Sequence, residues 1–410
     1  MKINKPRGTR DFLPKESTQR KEIENRMRKV VNRWGYEEII TPAFEHLSLF
    51  TLKSGEGIVG ELYNFKDKGE RELTLRPELT APVMRAYVNE MQSMPKPIKL
   101  FYFENCFRYE RPQKGRYREF WQFGVELIGS KNQTAMAEII ALAIDMLNAA
   151  GVKGKLHIGN IGLVKTILKD QSVEEQSAIM RLVDKKDYDA LDTYFKEISI
   201  SKELKEQFKD LISANNQDAI GKMHSLINCT NELMEFKKML SYLDVYEVDY
   251  EIDFGIARGL DYYTGTVFEV YADGLGAQNQ VCGGGSYELI KLFGGQNTPS
   301  IGFGIGFDRI MEITKIKPTC IPKVVIISKD NAKKQAIKIA NTIRVNSDVS
   351  VHIDVMARNF KAQLAFANSI CADYALFIGE KEIELDKVTL RCMKTGVQNL
   401  LSIDEVINKI

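Results

Sequence analysis

Two long runs rich in apolar and aromatic residues, IKLFYFENCFRYE (98–110) and YREFWQFGVELIG (117–129), flank the short segment RPQKGR. That pattern predicts an antiparallel hairpin whose turn is crowded with cations: Arg108, Arg111, Lys114, Arg116 and Arg118. Side chains alternate along a strand, so Arg118, Phe120, Gln122, Gly124 and Glu126 share one face of the return strand. A face this polar suggests a ligand pocket rather than a core. Arg108 sits inside an otherwise apolar strand, where a charged group is rarely buried without a partner. Guanidinium is a planar fork of donors suited to phosphate, and several converging on one point can stabilise charge on a transferring phosphoryl or adenylyl group. The bland alternative is a set of solvated hairpin charges. A later run, GFGIGFDRI (302–310), weakens that alternative by adding glycines that permit close backbone approach, and Arg309 where a helix begins.

The remaining sequence frames this hairpin. Ile23, Met27, Val30, Val31 and Trp34 recur at helical spacing before Gly35. YEEIITPAFE reads as a strand entering a bend at Pro42, and ELTLRPELTAPVMRAYVNE as a strand leading into a helix. QTAMAEIIALAIDMLNAAGV predicts a buried helix and KLHIGN a strand. From 165 to 245 the chain turns lysine- and glutamate-rich with helical periodicity, the texture of an inserted helical module. Strands return at YEIDFGIARGLDYYTGTVFEVYA, and the prolines of TKIKPTCIPK mark a second boundary. Beyond it, 323–410 reads β-α-β-α-β-β-α, a small α/β domain. The expected organisation is a core over 1–322, interrupted by 165–245, followed by 323–410.

Charge and cysteine content narrow the function classes. A formal net charge of +2 means that any nucleic-acid contact must come from local patches rather than bulk attraction. The six cysteines are scattered, without CxxC pairs or zinc spacing, so no metal site built from a protein cluster and no disulfide framework is expected. Cys282 reads as a small buried residue rather than a nucleophile. The N-terminal MKINKPRGTRDFLPKEST lacks an apolar signal core and no stretch approaches membrane-spanning length, which predicts a cytoplasmic protein with no membrane partner.

FRYERPQKGRYREFWQ resembles motif 2 of the class II aminoacyl-tRNA synthetases, GFGIGFDRI resembles motif 3, and GYEEIITPAFE resembles motif 1 with its proline at Pro42. RGTRDFLP, LTLRPELT and ARGLDYYTGTVFEVY are similar to segments of the histidyl-tRNA synthetase family, and the last is close to diagnostic. The resemblance covers nearly the whole chain. It implies a mixed α/β (α+β) fold: an antiparallel-sheet catalytic core with a helical insertion and a C-terminal α/β anticodon-binding domain. It also implies ATP with Mg2+, L-histidine and tRNA(His) as partners, and a homodimer built through motif 1.

Carried over to matching positions, the resemblance gives Arg108 the α-phosphate and the substrate carboxylate, and Arg258 a second cation beside the same phosphorus. Phe120 and Arg309 would sandwich adenine, a ring facing a guanidinium, with Glu110 and Arg116 on the ATP side. Glu78, Thr80 and Gln122 would hold the α-ammonium of histidine. Glu126 and Tyr263 would read the imidazole, whose neutral form offers one donor and one acceptor that a carboxylate and a phenol can satisfy; an isosteric apolar amino acid would leave those groups unpaired. Tyr262 belongs to the same pocket or packs behind it, since adjacent strand residues face opposite ways. Gln113 and Lys114 at the turn would meet the acceptor end of tRNA, and MARNF (356–360) offers basic candidates for the anticodon. The glycines of VCGGGSYELIKLFGG let the backbone approach the imidazole; here Ser286 and Glu288 depart from the arginine and aspartate commonest in the family. A non-catalytic, histidine-binding regulatory subunit of ATP phosphoribosyltransferase uses the same core, but usually loses the C-terminal domain and erodes the catalytic arginines. Other class II synthetases lack RGLDYYTGTVFE, and an RNA-binding scaffold would have no use for the ATP constellation.

Overall fold

The computed structural model describes residues 3–113, 115–198, 200–256, 263–276 and 279–410. The first compact unit, Met1–Lys317, is built on strands β1 (Glu37–Glu38), β2 (Phe44–His46), β3 (Asn64–Lys66), β4 (Glu72–Leu75), β5 (Ile98–Phe107), β6 (Glu119–Ile128), β7 (Lys155–Asn160), β8 (Glu251–Ile252), β9 (Tyr263–Tyr271), β10 (Gln280–Tyr287) and β11 (Ser300–Gly306). Eight of them form one sheet in the order β1-β5-β6-β11-β10-β9-β7-β8, antiparallel except where β1 joins β5 and β8 joins β7 at its edges. β2, β4 and β3 make a small antiparallel sheet beside it.

The helices of this unit are α1 (Pro14–Arg33), α2 (Ser48–Ser54), α3 (Thr80–Ala86), α4 (Gln133–Ala149), α5 (Ile161–Ile167), α6 (Val173–Asp184), α7 (Tyr188–Glu197), α8 (Lys202–Ser213), α9 (Asn216–Ile227), α10 (Asn231–Val245) and α11 (Phe307–Ile313). Proline is tolerated in the first turn of a helix, where its missing N–H has no partner to lose, and Pro14 opens α1. The i, i+4, i+7, i+8 row Ile23, Met27, Val30 and Val31 is buried, and Gly35 ends the run at φ +80°. α4 begins with the Asn132 side chain accepting the Thr134 amide, a cap worth about 1 kcal/mol. It lies on β6, β10 and β11. Phe123, Val125 and Leu127 of β6 face this helical layer and are buried, which leaves Gln122, Gly124 and Glu126 on the opposite face. Helices α6 to α10 share the same hydrophobic core, and α10 lies along α4.

Pro318–Ile410 is a second compact unit with cores of its own. Its strands are β12 (Lys323–Ser328), β13 (Ser350–Ile353), β14 (Tyr374–Ile378), β15 (Val388–Cys392) and β16 (Gln398–Leu401), and its helices α12 (Lys333–Asn346), α13 (Phe360–Ser369), α14 (Glu380–Glu384) and α15 (Ile403–Ile407). The sheet order is β13-β12-β14-β15-β16, parallel at β13-β12-β14 and antiparallel beyond. The sequence reading lacks α14 and β16. Both are short, and β16 depends on the turn at Gly396, φ +77°, to fold back on β15.

Candidate active site

The polar face of the large sheet floors a cavity of about 620 Å3. Its position follows from register: Gln122, Gly124 and Glu126 of β6 stand opposite Gly306, Gly304 and Gly302 of β11, and Tyr102 of β5 stands opposite Gly124. Side chains of β6 and β5 therefore rise from a floor that β11 leaves bare. Arg108, Glu110, Arg116, Phe120, Arg309, Glu78, Thr80, Gln122, Glu126 and Tyr263 all line this cavity. Gln113 is at the turn, exposed and bridged to Arg116, and is not among the lining residues. Arg258, Tyr262 and Lys114 lie outside the described residues. Arg118, which alternation places on the same face, leaves the cavity. It stacks 4.1 Å over Tyr109 and donates from Nε to the Glu110 carbonyl at 3.1 Å, because the strand ends at Glu119 and the backbone turns there.

One end of the cavity is cationic. Arg108 donates from Nε to the Pro77 carbonyl at 3.0 Å, and its guanidinium carbon is 5.2 Å from the Phe120 ring centroid. Arg309, in the first turn of α11, reaches the Gln280 carbonyl at 2.5 Å and the Gly115 carbonyl at 3.5 Å. Burial lowers its pKa, and the nearby Arg116 and Arg108 lower it further. Three mutually repelling guanidiniums around one space form a site for a polyanion. Glu110 pairs with Arg116 and tempers that cation.

The other end is built around one buried carboxyl. Glu126 is 1% exposed. Tyr102 donates to its Oε1 at 3.3 Å, and the Tyr287 hydroxyl donates to its Oε2. Burial pushes its pKa up to about 8; the Tyr287, Thr80 and Tyr102 hydroxyls oppose that and the Glu78 charge adds to it. Tyr263 packs edge-on to Tyr287 at 6.3 Å. Gln122 accepts a weak bond from the buried Cys106 thiol at 3.5 Å, and burial pushes that thiol up to about 12, which removes it as a nucleophile near neutrality. Glu78 accepts the Thr80 and Ala81 amides at 2.9 and 3.1 Å and pairs with Lys53 at 3.2 Å. It thereby fixes the start of α3, which brings Thr80 to the cavity. Arg76 holds this loop from behind: fully buried, it donates to the Thr41 and Asn105 carbonyls at 2.7 and 2.8 Å.

Tyr102 and Tyr287 are the site residues that sequence reasoning missed. Both lie in strands where an aromatic residue signals core, and only the register shows that their hydroxyls converge on Glu126. Among the described residues no group of three or more His, Cys, Asp or Glu side chains could hold a metal ion.

The histidyl-tRNA synthetase family model matches residues 8–310, and an anticodon-binding-domain model matches 323–410. A curated relative from Methanosarcina acetivorans, named histidine–tRNA ligase, is 58% identical over 410 residues, covering 100% of this chain and 99% of the relative. The crystal structure of apo histidyl-tRNA synthetase from S. aureus is similar at 29% identity and TM-score 0.74, covering 100% of this chain and 99% of that one. A crystal structure described as an ATP phosphoribosyltransferase regulatory subunit/histidyl-tRNA synthetase from Bacillus halodurans C gives 27% identity and TM-score 0.79, covering 92% and 98%. The family model covers most of the chain and the relative its full length, and the chain belongs to the histidyl-tRNA synthetase family.

Proposed function

We propose that this protein activates L-histidine with ATP and transfers the histidyl group to tRNA(His). The observation that carries the reading is a single cavity with two chemically opposite ends: Arg108, Arg116 and Arg309 at one, and Glu126 with its tyrosine hydroxyls at the other. The triphosphate lies among the guanidiniums, with adenine between Phe120 and Arg309. Histidine enters with its imidazole against Glu126, which accepts the ring N–H, while the Tyr263 hydroxyl donates to the second nitrogen. Thr80 and Gln122 receive the α-ammonium, and Glu78 supplies a compensating negative charge behind them. So placed, the histidine carboxylate attacks the α-phosphorus in line. A carboxyl O–P bond forms, the bond to pyrophosphate breaks, and Arg108 with Arg258 balances the charge on the phosphoryl oxygens. A terminal ribose hydroxyl of tRNA then takes the histidyl carbonyl and AMP leaves. Mg2+ arrives with the triphosphate as part of that substrate.

Residues 323–410 grip the anticodon, Gln113 and Lys114 approach the acceptor end, and the 165–245 helices form the insertion. The chain works as a cytoplasmic homodimer. Exposed apolar side chains on and beside the motif 1 strand, Ile40 and Phe44, support pairing through that edge; sedimentation at 46.6 kDa rather than twice that mass would remove the dimer. Among the described residues no helix is long and apolar enough to cross a membrane, and recovery in a membrane fraction would argue against the cytoplasmic assignment.

The deciding experiment is amino-acid-dependent ATP–pyrophosphate exchange with all twenty amino acids, repeated with Arg258→Ala and Glu126→Ala. Exchange with histidine alone, lost in both variants, is the expected result. Folded protein that binds histidine but exchanges with nothing would instead identify a regulatory paralogue.

A further inference from the structure

The segment that precedes α1 touches the hairpin turn and α11, beside the cationic end of the cavity, at three points. The Gly8 carbonyl accepts the Arg118 amide at 3.0 Å. Gly8 has φ +85°, and an added Cβ would lie 2.8 Å from the Arg118 side chain and 3.0 Å from Pro112, so only glycine lets the two chains meet this closely. Two residues on, the Arg10 guanidinium lies 3.4 Å from the Tyr117 ring centroid and 5.0 Å from that of Phe12. Its Nη2 is 2.6 Å from the Asp308 carboxylate, an ion pair.

Asp308 is the residue on which these contacts converge. It is 3% exposed, accepts from Arg20 Nη1 at 2.7 Å, and accepts the Trp121 amide of β6 at 2.7 Å. It immediately precedes Arg309, whose Nε reaches back to Gly115 in the turn. Tyr117 in turn donates to Glu312 of α11 at 2.9 Å. The 110–118 turn therefore has the N-terminal segment on one side and α11 on the other, and Arg10 spans the gap between Tyr117 and Asp308.

We propose that residues 8–12 are a strap that holds the 110–118 turn against α11, with Arg10 as a positioning residue for ATP. Arg10 Nε has no hydrogen-bond partner, and Nη2 meets the Asp308 carboxylate. Its contribution is thus a flat cation stacked on a ring and one ion pair, not a donor network. Lysine would keep a charge beside Asp308 but could not cover the Tyr117 ring. Arg20 and the Trp121 amide would still satisfy Asp308, so the fold survives the change.

This inference rests on the proposed use of ATP, and its test reads ATP binding directly. Calorimetry with Mg-ATP and, separately, with histidine compares wild type, Arg10→Lys, Tyr117→Leu and the double variant, with melting temperatures alongside. Each single variant should weaken ATP about tenfold and leave histidine affinity unchanged, and the double variant should be no weaker than the worse single, because the stacking that Arg10→Lys breaks is already absent in Tyr117→Leu, which also removes the bond to Glu312. Unchanged ATP affinity in both singles, losses that multiply in the double, or histidine affinity falling in step with ATP and with melting temperature would each overturn the strap. A wild type that binds ATP but supports no exchange would sink the synthetase reading while leaving this comparison intact, and one with no ATP affinity would overturn both.

Discussion

Glu126 is where the physics of single residues decides most. A carboxyl whose folded-state pKa is near 8 against an ordinary 4.5 holds its proton in the native state over a range where the unfolded chain has lost it. Its contribution to stability is therefore complete below the unfolded value and declines as pH rises toward 8, by about 1.4 kcal/mol per pH unit. Glu126→Gln cannot titrate. Chemical denaturation between pH 5 and pH 8 should show the wild type losing stability relative to this variant, with the gap flat beyond pH 8 and histidine binding lost in the variant. Parallel curves would mean that the carboxyl is already ionised. The alternation of β6 was enough to put Gln122 and Glu126 on one face in the sequence. It gave no hint that Tyr102 and Tyr287 serve Glu126, because a tyrosine in an apolar strand is written like core, and which hydroxyl finds which carboxylate is settled only when β5, β10 and β11 are in register.

At the scale of elements, the floor of the histidine end depends on how closely β6 and β11 approach. Gly302 pairs with Glu126, and a Cβ placed there would lie 2.0 Å from Glu126 Oε2 and 2.6 Å from the Val125 carbonyl. The side chain could rotate away, but the carbonyl belongs to the neighbouring strand, so Gly302→Ala must spread the ladder at this point. Overpacking of this kind costs about 1–3 kcal/mol. Gly304→Ala is the informative contrast, because its Cβ meets only Gln122 Nε2 at 3.9 Å. Thermal unfolding should show a clear loss for the first and little change for the second, and histidine affinity should fall at least tenfold in the first. Equal losses would mean that the glycines serve flexibility rather than close approach. Long elements with strong periodicity, such as β5, β6, α1 and α4, could be read from the chain. α14 and β16 could not: each is five residues or fewer, and β16 exists because a turn returns it to β15, not because QNLL favours a strand.

The whole molecule divides where composition changes. The hydrophobic core of Met1–Lys317 draws no buried residue from beyond Ile310, and the second unit closes its own sheet around Val324, Ile326, Ile339 and Leu376. The prolines of TKIKPTCIPK mark this change in the sequence, because a chain that must neither continue a helix nor donate to a ladder is suited to a linker. How the helices after α5 join the first core has no such mark; the packing of α10 on α4, like that of the others on their neighbours, depends on buried faces that any amphipathic helix displays. Each unit has a buried core of its own. A chain ended at Lys317 should therefore fold, and since every described residue lining the cavity lies within it, ATP–pyrophosphate exchange should persist with KM values for histidine and ATP near those of the full chain. Charging of tRNA(His) should fall by orders of magnitude, chiefly through KM for tRNA, because grip on the anticodon is lost while the chemistry is not. If exchange were lost with charging from a protein that still melts cooperatively, the second unit would have to support the activation step itself, and the assignment of binding to one unit and chemistry to the other would fail.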